Sequence, residues 1–208
     1  MRHPVILGMA LLALVASVSE ALSDSAPHEL AGFVVGDLLD HHRRRIREET
    51  VLSTRFFESL KEVETVPLFG YKTALVVYGT CVRPPRIIRL KFKYADSSKE
   101  FYDALLERFK QRFGEPDTWR GDPFGIVIVW KWSFYDEKGN DISLILQHNV
   151  KDEEEKKGNS VKLTMWNLMR AESDCFERQS EEAAVGDRQK LFEFRDSRSV
   201  NWDRFVPK

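Results

Sequence analysis

The chain has 208 residues, 42% of them hydrophobic and 31% charged, with 32 lysines and arginines against 33 aspartates and glutamates. That length suits one domain with appendages, and the apolar content is too high for a disordered chain. Near-neutral charge argues against a dedicated nucleic-acid binder, so nucleic acid is not an expected partner.

The N-terminus reads as an export signal. Arg2 and His3 form a positive start, Val5 to Val18 is an apolar stretch, and Ser19 and Ala21 supply the small residues that a signal peptidase reads. Cleavage before Leu22 makes residues 1–21 a signal peptide. The apolar run falls short of the roughly 20 residues that span a bilayer, and no later segment reaches that length. No transmembrane span is therefore expected after cleavage. None of the five asparagines begins an Asn-x-Ser/Thr acceptor, which favours the bacterial periplasm, or secretion from a bacterium, over eukaryotic secretion. In an oxidising compartment Cys81 and Cys175 become a disulfide candidate, two buried thiols being the alternative.

Residues 22–66 read as an N-terminal helical segment. Asp37 and Asp40 give it an acidic start, His41 to Arg47 a basic middle, and Phe56, Phe57 and Leu60 recur at helical spacing. Pro67 and Gly70 mark the boundary of a core domain over residues 67–170. Period-two patterning predicts strands over 72–81 and 86–95, joined by the Arg83-Pro84-Pro85-Arg86 turn. Ser97 and Glu100 form an expected capping box. Behind it Phe101, Leu105, Phe109 and Phe113 recur every four residues, until Gly114 and Pro116 stop the helix.

Three more strands are expected, over 125–135, 141–149 and 160–168. The Asp136–Asn140 turn separates the first two, and a charged loop from Lys151 to Gly158 precedes the third. Residues 171–208 form a polar C-terminal extension with a helix over 171–184. Phe192, Phe194, Trp202 and Phe205 imply that its tail packs against something. The expected class is α+β: an antiparallel sheet of about five strands in ββαβββ order, with one long helix packed on one face.

Alternation then divides the strands between two faces. Ile88, Leu90, Phe92 and Tyr94 point one way on the second strand; Arg89, Lys91 and Lys93 point the other. On the later strands Trp130, Trp132, Leu144, Leu146, Val161 and Leu163 join the apolar face. The opposite face gathers Arg89, Lys91, Lys93, Lys131, Gln147, Lys162, Thr164 and Trp166. A basic sheet face with one tryptophan fits a small anionic ligand or an acidic segment of an unknown protein partner. It also fits a face kept soluble by lysine, which antiparallel sheets commonly present to water.

Other residues point to less. His41 and His42 are adjacent, so on a helix they diverge by about 100° and do not share a metal. His148 is a lone strand histidine. Asp152 to Glu155 form a charged loop that lacks the glycine and alternating ligands of a calcium site. No Walker loop, Gly-x-Ser-x-Gly elbow, His-Glu-x-x-His or Cys-x-x-Cys is present. No catalytic residue, metal ligand or cofactor is assigned. The stretch from Phe101 to Trp130, with its Phe113-Gly114-Glu115-Pro116 corner leading into tryptophan-bearing strands, resembles small exported bacterial proteins of unknown function. The resemblance implies no activity. The expectation is a non-enzymatic binding module. A hydrolase-like enzyme built on His148 and scattered carboxylates, or a structural envelope component, are the alternatives.

Overall fold

The computed structural model describes residues 26–55, 57–122, 124–150 and 157–196, with side chains of the last helix to residue 184. The expected signal peptide over residues 1–21, Phe56, Asp152 to Glu155, Trp202 and Phe205 lie outside the described residues. A small hairpin opens the fold, β1 (Glu29–Leu30) with β2 (Phe33–Val34), and two 3-10 turns follow at Leu39–Arg45 and Glu48–Thr50. The main sheet has β3 (Leu52–Ser53), β4 (Leu60–Glu64), β5 (Tyr71–Gly79) and β6 (Ile87–Tyr94) before helix α1 (Lys99–Phe113). After it come β7 (Thr118–Gly121), β8 (Val127–Tyr135), β9 (Asp141–Asn149), β10 (Gly158–Met165) and helix α2 (Trp166–Asp196).

The sheet is antiparallel throughout and ordered β3-β4-β5-β6-β10-β9-β8-β7, so β10 returns to the centre beside β6. The α+β antiparallel class stands. The count of five strands is too low, because eight pair. The N-terminal helical segment is also corrected: residues 52–53 form the edge strand β3 and 60–64 its neighbour β4, and the helical elements before them are only short 3-10 turns. From Asp37 to Glu49 apolar positions are few, so packing onto the sheet decides the segment's conformation rather than an apolar helix stripe.

One face carries the main core. Helix α1 lays Tyr102, Leu105, Phe109 and Phe113 on Leu90, Phe92, Trp132, Leu146 and Leu163, while Phe33 from the hairpin closes one end. Ser98, not Ser97, is the N-cap, its side chain accepting from the Phe101 N–H. Gly114 ends the helix at φ 75°, and its carbonyl accepts the buried Trp132 Nε1–H at 2.9 Å. The aromatic-Gly-Glu-Pro corner is thereby tied to the tryptophan strand β8.

On the second strand the alternation breaks. Arg89 pairs with Val77 and Ile87 with Tyr78, leaving Ile88 as the extra residue of a β-bulge. Ile88 therefore packs with Leu60, Val77 and Met169 on the face opposite α1, not with Leu90. Helix α2 starts directly where β10 ends, and its first turns cover this smaller apolar cluster. Strand β10 stops at Met165, so Trp166 belongs to the helix.

The turns are held by carboxylates. Hydrogen bonds from the Asn140 side chain, aided by the Asn140 and Lys138 N–H groups, hold Asp136 below the ordinary aspartate value. Val127 and Phe124 N–H groups do the same for Asp122, and Ser98 does so for Asp96. Each group favours its charged form in the fold, so its stabilisation is full above the unfolded aspartate pKa of about 3.9 and is lost as pH falls below that toward the folded value. The melting temperature should accordingly stay level from pH 7 to 5 and fall steeply between pH 4 and 2. Thermal melts at half-unit pH intervals check this, and a flat profile to pH 2 would contradict it.

Candidate functional site

Among the described residues, helix α2 divides the face opposite α1 into a part that it covers and a part that it leaves open. Its Trp166 donates Nε1–H to Ser143 Oγ at 2.9 Å, and its Met169 packs on Leu60, Val77 and Ile88. Farther along, the buried Glu172 carboxylate accepts the Cys81 and Val82 N–H groups at 2.8 and 3.0 Å. The next turn is bonded covalently: Cys175 and Cys81 form a disulfide with their Cα atoms 6.0 Å apart. Gly79 makes the approach feasible, since a Cβ there would lie 1.9 Å from a Glu172 carboxylate oxygen.

This arrangement uses two of the six predicted binding residues internally. Arg89 donates Nε–H to Thr164 Oγ1 at 2.9 Å and stacks over the Trp166 ring at 5.7 Å. Burial lowers its pKa. Both residues knit α2 to the sheet, so the structure does not place them on the open surface. Thr164 goes with them.

The four lysines sit on the part that α2 leaves open. Lys91 is directly opposite Lys162, Lys162 is opposite Ile145, and Ile145 is opposite Lys131, in one row across β6, β10, β9 and β8. The next row carries Lys93, Ser160, Gln147, Val129 and the exposed Arg120. Lys91 is paired with Glu62 of β4 at 2.8 Å, and Lys93 and Lys162 also engage other groups. Like charges directly opposite one another cost stability, so the Lys91–Lys162 pair is offset by Glu62 rather than favourable in itself. Neither Glu62 nor Arg120 emerges from sequence patterning. The first lies in the segment read as helix, and the second on a four-residue edge strand with no alternation long enough to detect.

The remaining candidates are structural. His148 is 2% exposed, packs at a tilt against Tyr102 with ring centroids 5.2 Å apart, and bonds through Nδ1 to Asn159 Oδ1 at 2.7 Å. An amide, not a carboxylate, orients it, so it lends no support to a hydrolase reading. The rings of His41 and His42 do converge after all, but on one carboxylate: Nδ1 of the first and Nε2 of the second lie 2.8 and 2.9 Å from the two oxygens of Asp37. Burial opposes the charge on Asp37, yet the Leu38 N–H and both histidines outweigh it and hold its pKa below the usual value. A cleft of about 690 Å³ lies beside this cluster, with Val35, Met165 and Leu168 among its apolar walls and Asp37 and Asp136 among its polar ones. It is at the opposite end of β9 from His148, and its Met165 wall is on the sheet face opposite the lysine rows. Its two aspartates are already engaged by His41, His42, Asn140 and backbone N–H groups.

No family model, curated protein or solved structure matches this chain. The lysine rows are thus read from their own geometry. Among the described residues no three or more His, Cys, Asp or Glu side chains are placed to hold a metal. Among them, too, no helix is long and apolar enough to cross a membrane.

Proposed function

We propose that the chain is an exported, non-enzymatic binding module that holds an anionic partner or ligand on the uncovered rows of its sheet. The observation that carries this reading is the single cross-strand row of Lys91, Lys162 and Lys131, with Lys93 and Arg120 in the row beside it. Such a local excess of positive charge raises the concentration of an anionic ligand nearby, even on a chain whose total charge is near zero. Export to the bacterial periplasm is supported by the Arg2 to Ala21 signal pattern and by the Cys81–Cys175 bridge, a bond that persists in oxidising compartments.

A fluorescent hexaglutamate peptide tests the reading by anisotropy at low salt. Binding should weaken at least tenfold in Lys131→Glu/Lys162→Glu and fall with added salt, while the melting temperature moves by less than about 2 °C, as for surface substitutions. Undiminished binding by the variant would remove the lysine rows from the function. A Lys131→Glu single variant, at a position that forms no ion pair among the described residues, separates lost affinity from lost folding.

A further inference from the structure

The lysines are not interleaved with other polar groups alone. Ile145 lies between Lys162 and Lys131, flanked by one on each neighbouring strand at about 5 Å. Val129 and Val127 continue on the same face of β8, two residues apart each time, and Leu75 faces Lys91 from β5. All four apolar side chains are half-buried, and so are the four lysines. Helix α2 touches a different row, the one that holds Arg89, Thr164 and Ser143. A short apolar lane therefore runs from Ile145 of β9 diagonally to Val129 and Val127 of β8, with Lys162 and Lys131 on either side of Ile145 and Arg120 beside Val129. Long lysine stems lie over such a lane while their charged heads stay in water.

We infer that this face takes an anionic amphiphile, a single alkyl chain with a phosphate or carboxylate head, in preference to a purely polar anion. This rests on reading the lysine rows as the binding face. The chain would lie on Ile145, Val129 and Val127, and the head would sit among Lys131, Lys162 and Lys93. An acidic peptide can meet the same ammonium groups, but it leaves the lane wet and forgoes the free energy of covering it. The lysines need not be unpaired for this. A ligand head competes with surface ion pairs that are themselves weak.

Calorimetric titration of the whole chain with dodecyl phosphate, below its micelle-forming concentration, tests the inference against butyl phosphate, dodecyl maltoside and hexaglutamate. Near-ultraviolet circular dichroism during the titration verifies that the fold is intact. Dodecyl phosphate should bind at least tenfold more tightly than butyl phosphate and dodecyl maltoside. Lys131→Glu should weaken it about tenfold, and Val129→Thr, nearly isosteric, at least threefold with the melting temperature maintained. If hexaglutamate and both phosphates bind alike, the lysine face stands and the amphiphile inference falls. If dodecyl maltoside binds as tightly as dodecyl phosphate, charge is irrelevant and the inference also falls. If no anion binds, both readings fall together.

Discussion

Removing the Cys81–Cys175 bridge, by alanine at both positions or by reduction, is expected to lower the free energy of unfolding by about 4–5 kcal/mol. The two cysteines are 94 residues apart in sequence, and the bridge encloses β6, α1 and β7 to β10. In the chain-entropy picture a loop of that size restricts the unfolded ensemble strongly. The folded sheet has its own ladder and should survive at low temperature. What loosens is α2, which then depends on Trp166, Met169 and Glu172. Gly79→Ala probes that remaining attachment, because the new methyl group must displace the Glu172 carboxylate and strand the Cys81 and Val82 N–H groups. Its cost should be about 2–4 kcal/mol, in the range for losing hydrogen bonds to a buried charged group. Urea unfolding with and without reductant measures the first effect. A loss under about 1 kcal/mol would mean that the bridge does not constrain the unfolded chain.

Chemistry within a few residues made α1 and the long strands legible. The Phe101 to Phe113 stripe, the Gly114 stop and the Asp136 turn each depend on local rules, and each appears at its expected place within a few residues. Alternation also separated Trp132, Leu144, Leu146 and Leu163 from Lys131 and Lys162 correctly, since period two is set by the pleat itself. Three things depended on distant partners and could not be read. The bulge at Ile88 arises from its pairing with β5, so nothing in Ile87-Ile88-Arg89 announces it. Strands β3 and β4 take their conformation from the neighbours they pair with. The start of α2 at Trp166 follows from tertiary contacts, namely Ser143 below the indole and Met169 on Ile88, against a sequence that continues to alternate through Leu168. That last error also put Trp166 and Arg89 on the open face. The lysine rows were visible because each lysine obeys alternation, whereas their apolar lane needed the register that places Ile145 between Lys162 and Lys131.

Asn159→Ala should be the most damaging single substitution away from the disulfide, at about 3–4 kcal/mol. Asn159 is fully buried, and its amide joins three parts of the molecule. Nδ2 donates to the carbonyls of Asp96 and Ser98 at 3.0 and 2.8 Å, where the chain enters α1. With the amide nitrogen so engaged, Oδ1 faces His148, whose Nδ1 must carry the proton and donate. Alanine leaves two carbonyls and one imidazole N–H without this partner in a dry setting, where each orphaned group costs about 1–3 kcal/mol. His148→Phe keeps the ring contact with Tyr102 and orphans Oδ1 alone, so it should cost about half as much. Because both residues belong to one network, their effects should not add: the double variant should be at least about 1 kcal/mol more stable than the sum of the singles implies. Strict additivity in urea unfolding would show that Asn159 anchors α1 independently of His148.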